Sequence, residues 1–150
     1  MPPQVTLTGV DGVPEITAGD DLGSLLVEAC AKQGMPLANG DVLVVTQKVI
    51  SKAEGQVIDL RTITPSALAV DFAMRWEKDA RAVEVVLQEA VRVVRMENGV
   101  MITETRHGFV CANSGVDASN VGTGNVDYVV LLPKDSDASA RRMRDRVRNL

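Results

Sequence analysis

His107-Gly108-Phe109-Val110-Cys111-Ala112-Asn113-Ser114-Gly115-Val116-Asp117-Ala118-Ser119-Asn120-Val121 begins as one kind of chain and ends as another. Phe109, Val110 and Cys111 are apolar and suit a strand. Asn113, Ser114, Gly115, Asp117, Ser119 and Asn120 follow, and their side chains compete for backbone hydrogen bonds and favour turns. The polar run lies between two hydrophobic strands, so the scaffold is expected to hold it rigidly, as loops that bind or catalyse are held. Asp117 is its only acid, set among hydroxyl and amide groups. That setting suits a hard cation such as magnesium, which takes oxygen ligands and few protein carboxylates. It also suits a solvated turn whose side chains bond their own backbone. Chemistry alone leans slightly to the turn.

Working outward, Val100 to Glu104 reads as a strand placed to pair with the opening run as a hairpin, through Thr105-Arg106-His107-Gly108. Upstream, Asp79 opens a helix to about Met96, with Val83, Val86, Leu87, Ala90, Val93 and Val94 recurring at three and four. Asn98-Gly99 then joins a helix to a strand and is not read as a hairpin. Pro65-Ser66 opens an earlier helix to about Lys78. Downstream come the glycine-rich Gly122-Thr123-Gly124-Asn125, an apolar strand from Tyr128 to Leu132, and a loop and helix from Pro133 to Leu150. That helix sets Ala140, Met143 and Val147 on one face and carries five arginines between Arg141 and Arg148. Such a run is usually a solvated face. A severed end of a longer chain is the other reading.

Nearer the N-terminus, Val5 to Val10 alternates and reads as a first strand, followed by the turn Asp11-Gly12-Val13-Pro14. Glu15 and Ile16 are extended. Asp20 and Asp21 start a helix whose apolar face is Leu22, Leu25, Leu26, Ala29 and Cys30, ended by Gly34 and Pro36. Val42 to Val45 is apolar throughout, the pattern of a strand buried on both faces. Thr46, Gln47 and Lys48 then form a second polar segment behind a buried strand, and Val57 to Leu60 is a short strand. The pattern predicts one α+β domain, a mixed β-sheet with packed helices, with strand order left open.

With 150 residues, 45% hydrophobic and 24% charged, the chain can build a core. Aromatics are only 3%, so aliphatic side chains must fill it. The net charge is −4 and the pI about 5.0, a balance that gives no support for a basic face for nucleic acid. No apolar run approaches the ~20 residues of a membrane span, and the first residues lack the pattern of a signal peptide. Cys30 and Cys111 are far apart and read as buried free thiols in a reducing, cytoplasmic setting. One histidine and two cysteines cannot make a four-ligand zinc site.

Gly40-Asp41-Val42-Leu43-Val44-Val45-Thr46-Gln47-Lys48-Val49-Ile50-Ser51-Lys52-Ala53-Glu54-Gly55 and Gly108 to Val121 closely resemble the coenzyme F-420-0:L-glutamate ligase family, the F-420 γ-glutamyl ligases. The similarity runs from Gly12-Val13-Pro14-Glu15-Ile16 to Asp137-Ala138-Ser139-Ala140. It implies the F-420 ligase fold over 1–150 and a GTP- and divalent-metal-dependent enzyme. Such an enzyme activates the carboxylate of the deazaflavin precursor F-420-0 as an acyl phosphate, which the amine of L-glutamate attacks. The implied ions are Mg2+ or Mn2+, with a monovalent cation as a further option, and the implied assembly is a homodimer.

Carried over by position, the resemblance puts Val13, Pro14, Glu15 and Ile16 along the nucleotide, mostly by backbone. Gln47 and Lys48 are nucleotide contacts where the family often has small hydroxyl residues. Lys52 matches the lysine that reaches the phosphates, Asp117 the metal-binding aspartate, and Asn120 another nucleotide contact. Lys52 and Asp117 are therefore the catalytic candidates, each set against a plainer reading as surface lysine and turn aspartate. His107 is read as structural, and Ser51, Glu54, Asn113 and Ser114 as neighbours without roles.

Family members continue beyond this point with further metal ligands and a later nucleotide-contacting stretch, so the chain is expected to be truncated at its C-terminus and to bind GTP poorly alone. The second reading is a non-catalytic folding or dimerisation module derived from the ligase. An unrelated nucleotide-binding domain is a third, opposed by the lack of a GxxxxGK[ST] loop or a GxGxxG after a strand.

Overall fold

The structure, a computed structural model, describes residues 4–118 and 127–150. Among these residues the chain forms α1 (Leu22–Lys32), α2 (Gln47–Ala53), β1 (Val57–Asp59), α3 (Ala67–Trp76), α4 (Ala80–Glu89), β2 (Ala90–Glu97), β3 (Val100–Thr105), β4 (Val110–Ala112), β5 (Tyr128–Val130) and α5 (Ser136–Arg148). The class is α+β, as expected. The strands fall into two sheets, β1-β5 and β2-β3-β4, and every pair is antiparallel. Asn120 and Gly122 to Asn125 lie outside the described residues. No helix among the described residues is long and apolar enough to cross a membrane.

Local chemistry explains the helix starts. The side chains of Asp21, Ser66, Asp79 and Asp135 each accept a hydrogen bond from a backbone N–H in the first turn that follows. Glu84 accepts from the Ser66 N–H at 2.9 Å and so ties the start of α3 to α4.

The core lies between α3, α4 and β3. Ala69, Phe72, Ala73, Val83, Val86 and Met101 are buried together. A neighbouring cluster of Leu60, Val85, Val129 and Leu131 covers the β1-β5 sheet. Val116 packs against both clusters, and the residue after it is Asp117.

Four expectations about the elements fail here. The helix opened by Asp79 stops at Glu89, and Ala90–Glu97 is a strand. Val91, Val93 and Val94 are β-branched and better accommodated on a pleated surface than in a helix. Val93 and Val94 also stay substantially exposed, so their three-and-four spacing marks no core face. Asn98-Gly99 is consequently a hairpin turn after all. Both residues have positive φ between the paired Glu97 and Val100, the geometry that the twist of two adjoining strands favours.

The other two failures are the strands at Val5 to Val10 and Val42 to Val45. Neither forms, and Val5, Leu7, Val42 and Val44 are 89%, 91%, 84% and 89% exposed. An apolar run becomes a buried strand only where a neighbour accepts its backbone bonds, and no described residue does so for 42–45. Cys30 is buried as expected, but Cys111, on the exposed-edged β4, is only partly covered.

The arginine-rich α5 is not simply a solvated face. Arg146 Nε donates to Asp21 Oδ2 at 2.8 Å and Arg142 Nη2 to Glu54 Oε1 at 2.5 Å. Ser139, the buried residue of α5, also donates to Glu54 at 2.5 Å. These contacts pin α5 to the start of α1 and the end of α2. Gly23 makes room for them, because a Cβ there would meet Arg146 Cγ at 2.5 Å. The expected apolar face is partial: Met143 and Val147 are half-buried and Ala140 is exposed.

Candidate functional site

The polar run that follows β4 is fixed by backbone strain and buried hydroxyls. Asn113, Ser114 and Gly115 have φ of 51°, 53° and 70°, three left-handed residues in succession. Ser114 is buried and compensates for its conformation with hydrogen bonds. Its N–H donates to Thr103 Oγ1 at 2.9 Å, and its hydroxyl donates to Val86 O at 2.9 Å. The Thr103–Ser114 hydroxyl contact at 2.9 Å is therefore donated by Thr103. Asn113 Oδ1 accepts from the Met101 N–H at 3.3 Å. At Gly115 a Cβ would stand 2.9 Å from Leu132, so glycine is required both for its φ and for space.

This turn delivers Asp117 to β5. Its N–H donates to Val130 O at 2.9 Å, and the Val130 N–H donates back to Asp117 O at 2.8 Å. β5 is thus flanked by β1 on one edge and by Asp117 on the other. With its backbone held, Asp117 directs its carboxylate toward α2. Lys48 Nζ lies 2.7 Å from Oδ2, with the two side chains 22% and 36% exposed.

Thr46, Gln47 and Lys48, expected as a polar segment, open the short helix α2, Gln47–Ala53, with Thr46 as its N-cap. At about 100° per residue, Lys48 and Lys52 share one side of it, one turn apart, and Gln47, Ile50 and Ser51 turn elsewhere. Lys52 Nζ meets Glu15 Oε1 at 2.5 Å. Gln47 Nε2 donates to Leu131 O at 2.9 Å and to Ser51 Oγ at 2.7 Å, which seats α2 against the end of β5. Its amide hydrogens are committed to the scaffold, on the side of α2 away from the two lysines. In the 13–16 segment Ile16 is buried, Val13 is half-buried, and Pro14 and Glu15 are exposed. The next stretch is tied to α2 by Gly19 N–H donating to Ala53 O at 2.8 Å.

Three stretches far apart in sequence therefore meet on one side of α2. They are the segment carrying Glu15, the pair Lys48 and Lys52, and the turn carrying Asp117. The helix behind Val45 and the polar turn behind Ala112 converge, as a shared ligand would require. Sequence reasoning gave Glu15 a role mostly by backbone and did not pair it with Lys52, or Lys48 with Asp117. The one available signal was the four-residue spacing of the lysines, which places both on one helical side.

His107 stands apart from this cluster. Its Nε2 is 2.8 Å from Pro133 O and 3.2 Å from Lys134 O, so that nitrogen carries the proton and donates. Its ring stacks on Phe109 at 5.9 Å. The contacts tie the β3-β4 turn to the approach of α5, a structural role. A groove of about 1030 Å³ also lies on the other side of α2, between α1, residues 36–45 and α5, with Gln47, Ile50, Leu43 and Met143 among its walls. Its lining is largely aliphatic, and the charged pairs are not part of it.

No group of three or more His, Cys, Asp or Glu that could hold a metal occurs among the described residues. Asp117 on its own fits a hard cation only as one ligand among waters and substrate phosphate oxygens, the way magnesium is commonly held.

Comparison with known proteins places the chain by sequence. The pattern of the family described as F420-0:Gamma-glutamyl ligase matches residues 12–150. A protein of Methanothermobacter thermautotrophicus named Coenzyme F420:L-glutamate ligase is 42% identical over 139 residues, 93% of this chain and 54% of its own. Its namesake in Methanopyrus kandleri is 47% identical over 136 residues, covering 91% and 51%. That of Archaeoglobus fulgidus is 38% identical over 147 residues, covering 98% and 55%. The chain spans about half the length of these curated relatives.

Proposed function

This chain belongs to the F420-0:gamma-glutamyl ligase family, and from that premise we propose that it supplies part of a GTP-dependent enzyme joining L-glutamate to the deazaflavin precursor F-420-0. The observation that carries the reading is the meeting of Lys48, Lys52 and Asp117 on one side of α2. In the proposed reaction the terminal phosphoryl group of GTP passes to the substrate carboxylate. The amine of glutamate then attacks the acyl phosphate, and phosphate leaves as the amide forms. Lys52 and Lys48 are positioned to take up the negative charge that gathers on the transferring phosphoryl group. Asp117 would hold a divalent ion, Mg2+ or Mn2+, which when bound adds positive charge at the phosphates. Val13 to Ile16 would line the nucleotide from the far side of Lys52. Asn120, outside the described residues, keeps its proposed nucleotide contact on the resemblance alone.

One carboxylate and two lysines make a sparse site for a triphosphate and its metal. The proposal therefore includes a further portion of the ligase, supplied by polypeptide of the kind the relatives carry beyond the matched length, and a cytoplasmic homodimer as the working form. The exposed Val5, Leu7, Val42 and Val44 favour additional polypeptide covering them. They equally suit the second reading, a non-catalytic folding or dimerisation module.

Glutamate addition and GTP hydrolysis should be measured with this chain alone, and again with the unmatched portion of the Methanothermobacter ligase added. Little turnover alone and activity on addition are expected, with Lys52→Ala and Asp117→Ala each removing the restored activity. Restored activity that survives both substitutions would exclude these residues from the mechanism. No activity in either arrangement favours the module.

A further inference from the structure

The two lysines of α2 are paired in different ways. Lys48 faces an aspartate whose backbone is bonded in both directions to β5. Lys52 is the more deeply covered of the two, its side chain 12% exposed, yet its partner Glu15 is 71% exposed. Among the described residues, the carboxylate of Glu15 has Lys52 as its hydrogen-bond partner. Glu15 lies in a segment without regular secondary structure, and the next residue, Ile16, is buried and anchors that segment. The Glu15 side chain can therefore leave Lys52 for water while its backbone stays in place.

A covered ammonium is costly to strip of its counter-anion, whereas an exposed carboxylate loses little by returning to solvent. The position opposite Lys52 is thus an anion position at which one occupant can be exchanged for another. We propose that the Glu15 carboxylate is an internal occupant of this position, and that a phosphoryl oxygen binds Lys52 by displacing it. The inference rests on the phosphate role proposed for Lys52 above. It adds that the side chain of Glu15 opposes nucleotide binding, although its backbone borders the nucleotide. Charge balances in the exchange: one anion leaves the ammonium as another arrives, and no covalent bond changes. A phosphoryl group prevails because it brings more negative charge and more acceptor oxygens than one carboxylate.

The test is a titration of the whole chain with inorganic triphosphate, followed by NMR shifts of the α2 amides. Glu15→Gln should tighten binding about two- to fivefold, the range expected from losing a competing exposed ion pair. Glu15→Ala should act in the same direction. Lys52→Met, which keeps the apolar stem, should abolish the gain in the Glu15→Gln background. Binding by Glu15→Gln where the wild type shows none also supports the exchange. Equal or weaker binding by both Glu15 variants overturns it, as does a gain that survives Lys52→Met or an absence of binding throughout. A gain seen with L-glutamate and not with triphosphate overturns the phosphoryl assignment. If wild-type binding ignores Lys52→Met, the functional reading of Lys52 itself falls, a result distinct from failure of the Glu15 variants.

Discussion

Residues 42–45 and β5 are both short and rich in valine, yet the molecule treats them oppositely. In β5, Val129 and Val130 are fully buried, with β1 on one edge, Asp117 on the other and aliphatic side chains packed against Val129. In the other run Val42 and Val44 are almost wholly exposed. The difference teaches that an apolar run states a demand for partners and does not supply them. β5 has its partners within the described chain. The run at 42–45 has no strand partner there, although it leads directly into the helix that carries both lysines.

The largest expected effect tests the packed side of this contrast. Phe72→Ala should destabilise the chain by about 3–5 kcal/mol, read from the urea midpoint, because it empties the cluster over β3. A loss below about 1 kcal/mol would mean that this cluster is not the core. Next is Gly115→Ala, which combines a positive φ with a close approach to Leu132. It should cost roughly 1–3 kcal/mol and weaken the bond between Asp117 and β5, visible as faster amide exchange at Val130. Normal exchange at Val130 would show that the strained turn does not position Asp117.

A smaller effect concerns the clamp on α5. The Arg146 guanidinium, followed by Ser24, holds the Asp21 carboxyl down to about 2 from its ordinary 3.8. A depressed carboxyl contributes stability that is complete above its unfolded value and lost as the pH falls through its folded one. The contact of α5 with α1 should accordingly loosen between about pH 4 and pH 2, seen as rising amide exchange in α5, and Arg146→Ala should flatten that dependence. An unchanged profile in the variant would assign the acid response to other carboxylates. The smallest effect belongs to the exposed run: Val44→Ser should change the stability of this chain by no more than about 0.5 kcal/mol. A loss comparable to that of Phe72→Ala would erase the contrast between the two runs.

Much of the architecture was legible because its signals are local. Asp21, Ser66 and Asp79 start helices where a capping side chain followed by apolar periodicity indicates a start. Val100 to Glu104 and Tyr128 to Leu132 mark two strands to within about two residues. The end of α4 was not legible, because Val93 and Val94 satisfy a helical spacing by coincidence while their branched side chains favour a strand. Once that helix was overextended, Asn98-Gly99 could not be recognised as the hairpin turn it is. At the site, the resemblance singles out Lys52 and Asp117, and a ligand shared between them requires their segments to converge. The pairing of Lys48 with Asp117 and of Lys52 with Glu15 was not legible. Each joins residues tens of positions apart, and only the assembled fold sets their distances.

The meeting of α2 with the turn behind β4 is tested most directly by a double-mutant cycle on Lys48 and Asp117, read from urea unfolding of the single and double alanine variants. For a partly covered ion pair at 2.7 Å, the predicted result is a coupling of about 0.5–1 kcal/mol, with the double variant less destabilised than the sum of the singles. Strict additivity, within about 0.3 kcal/mol, would mean that the two side chains do not meet, and the site proposed around them would fall.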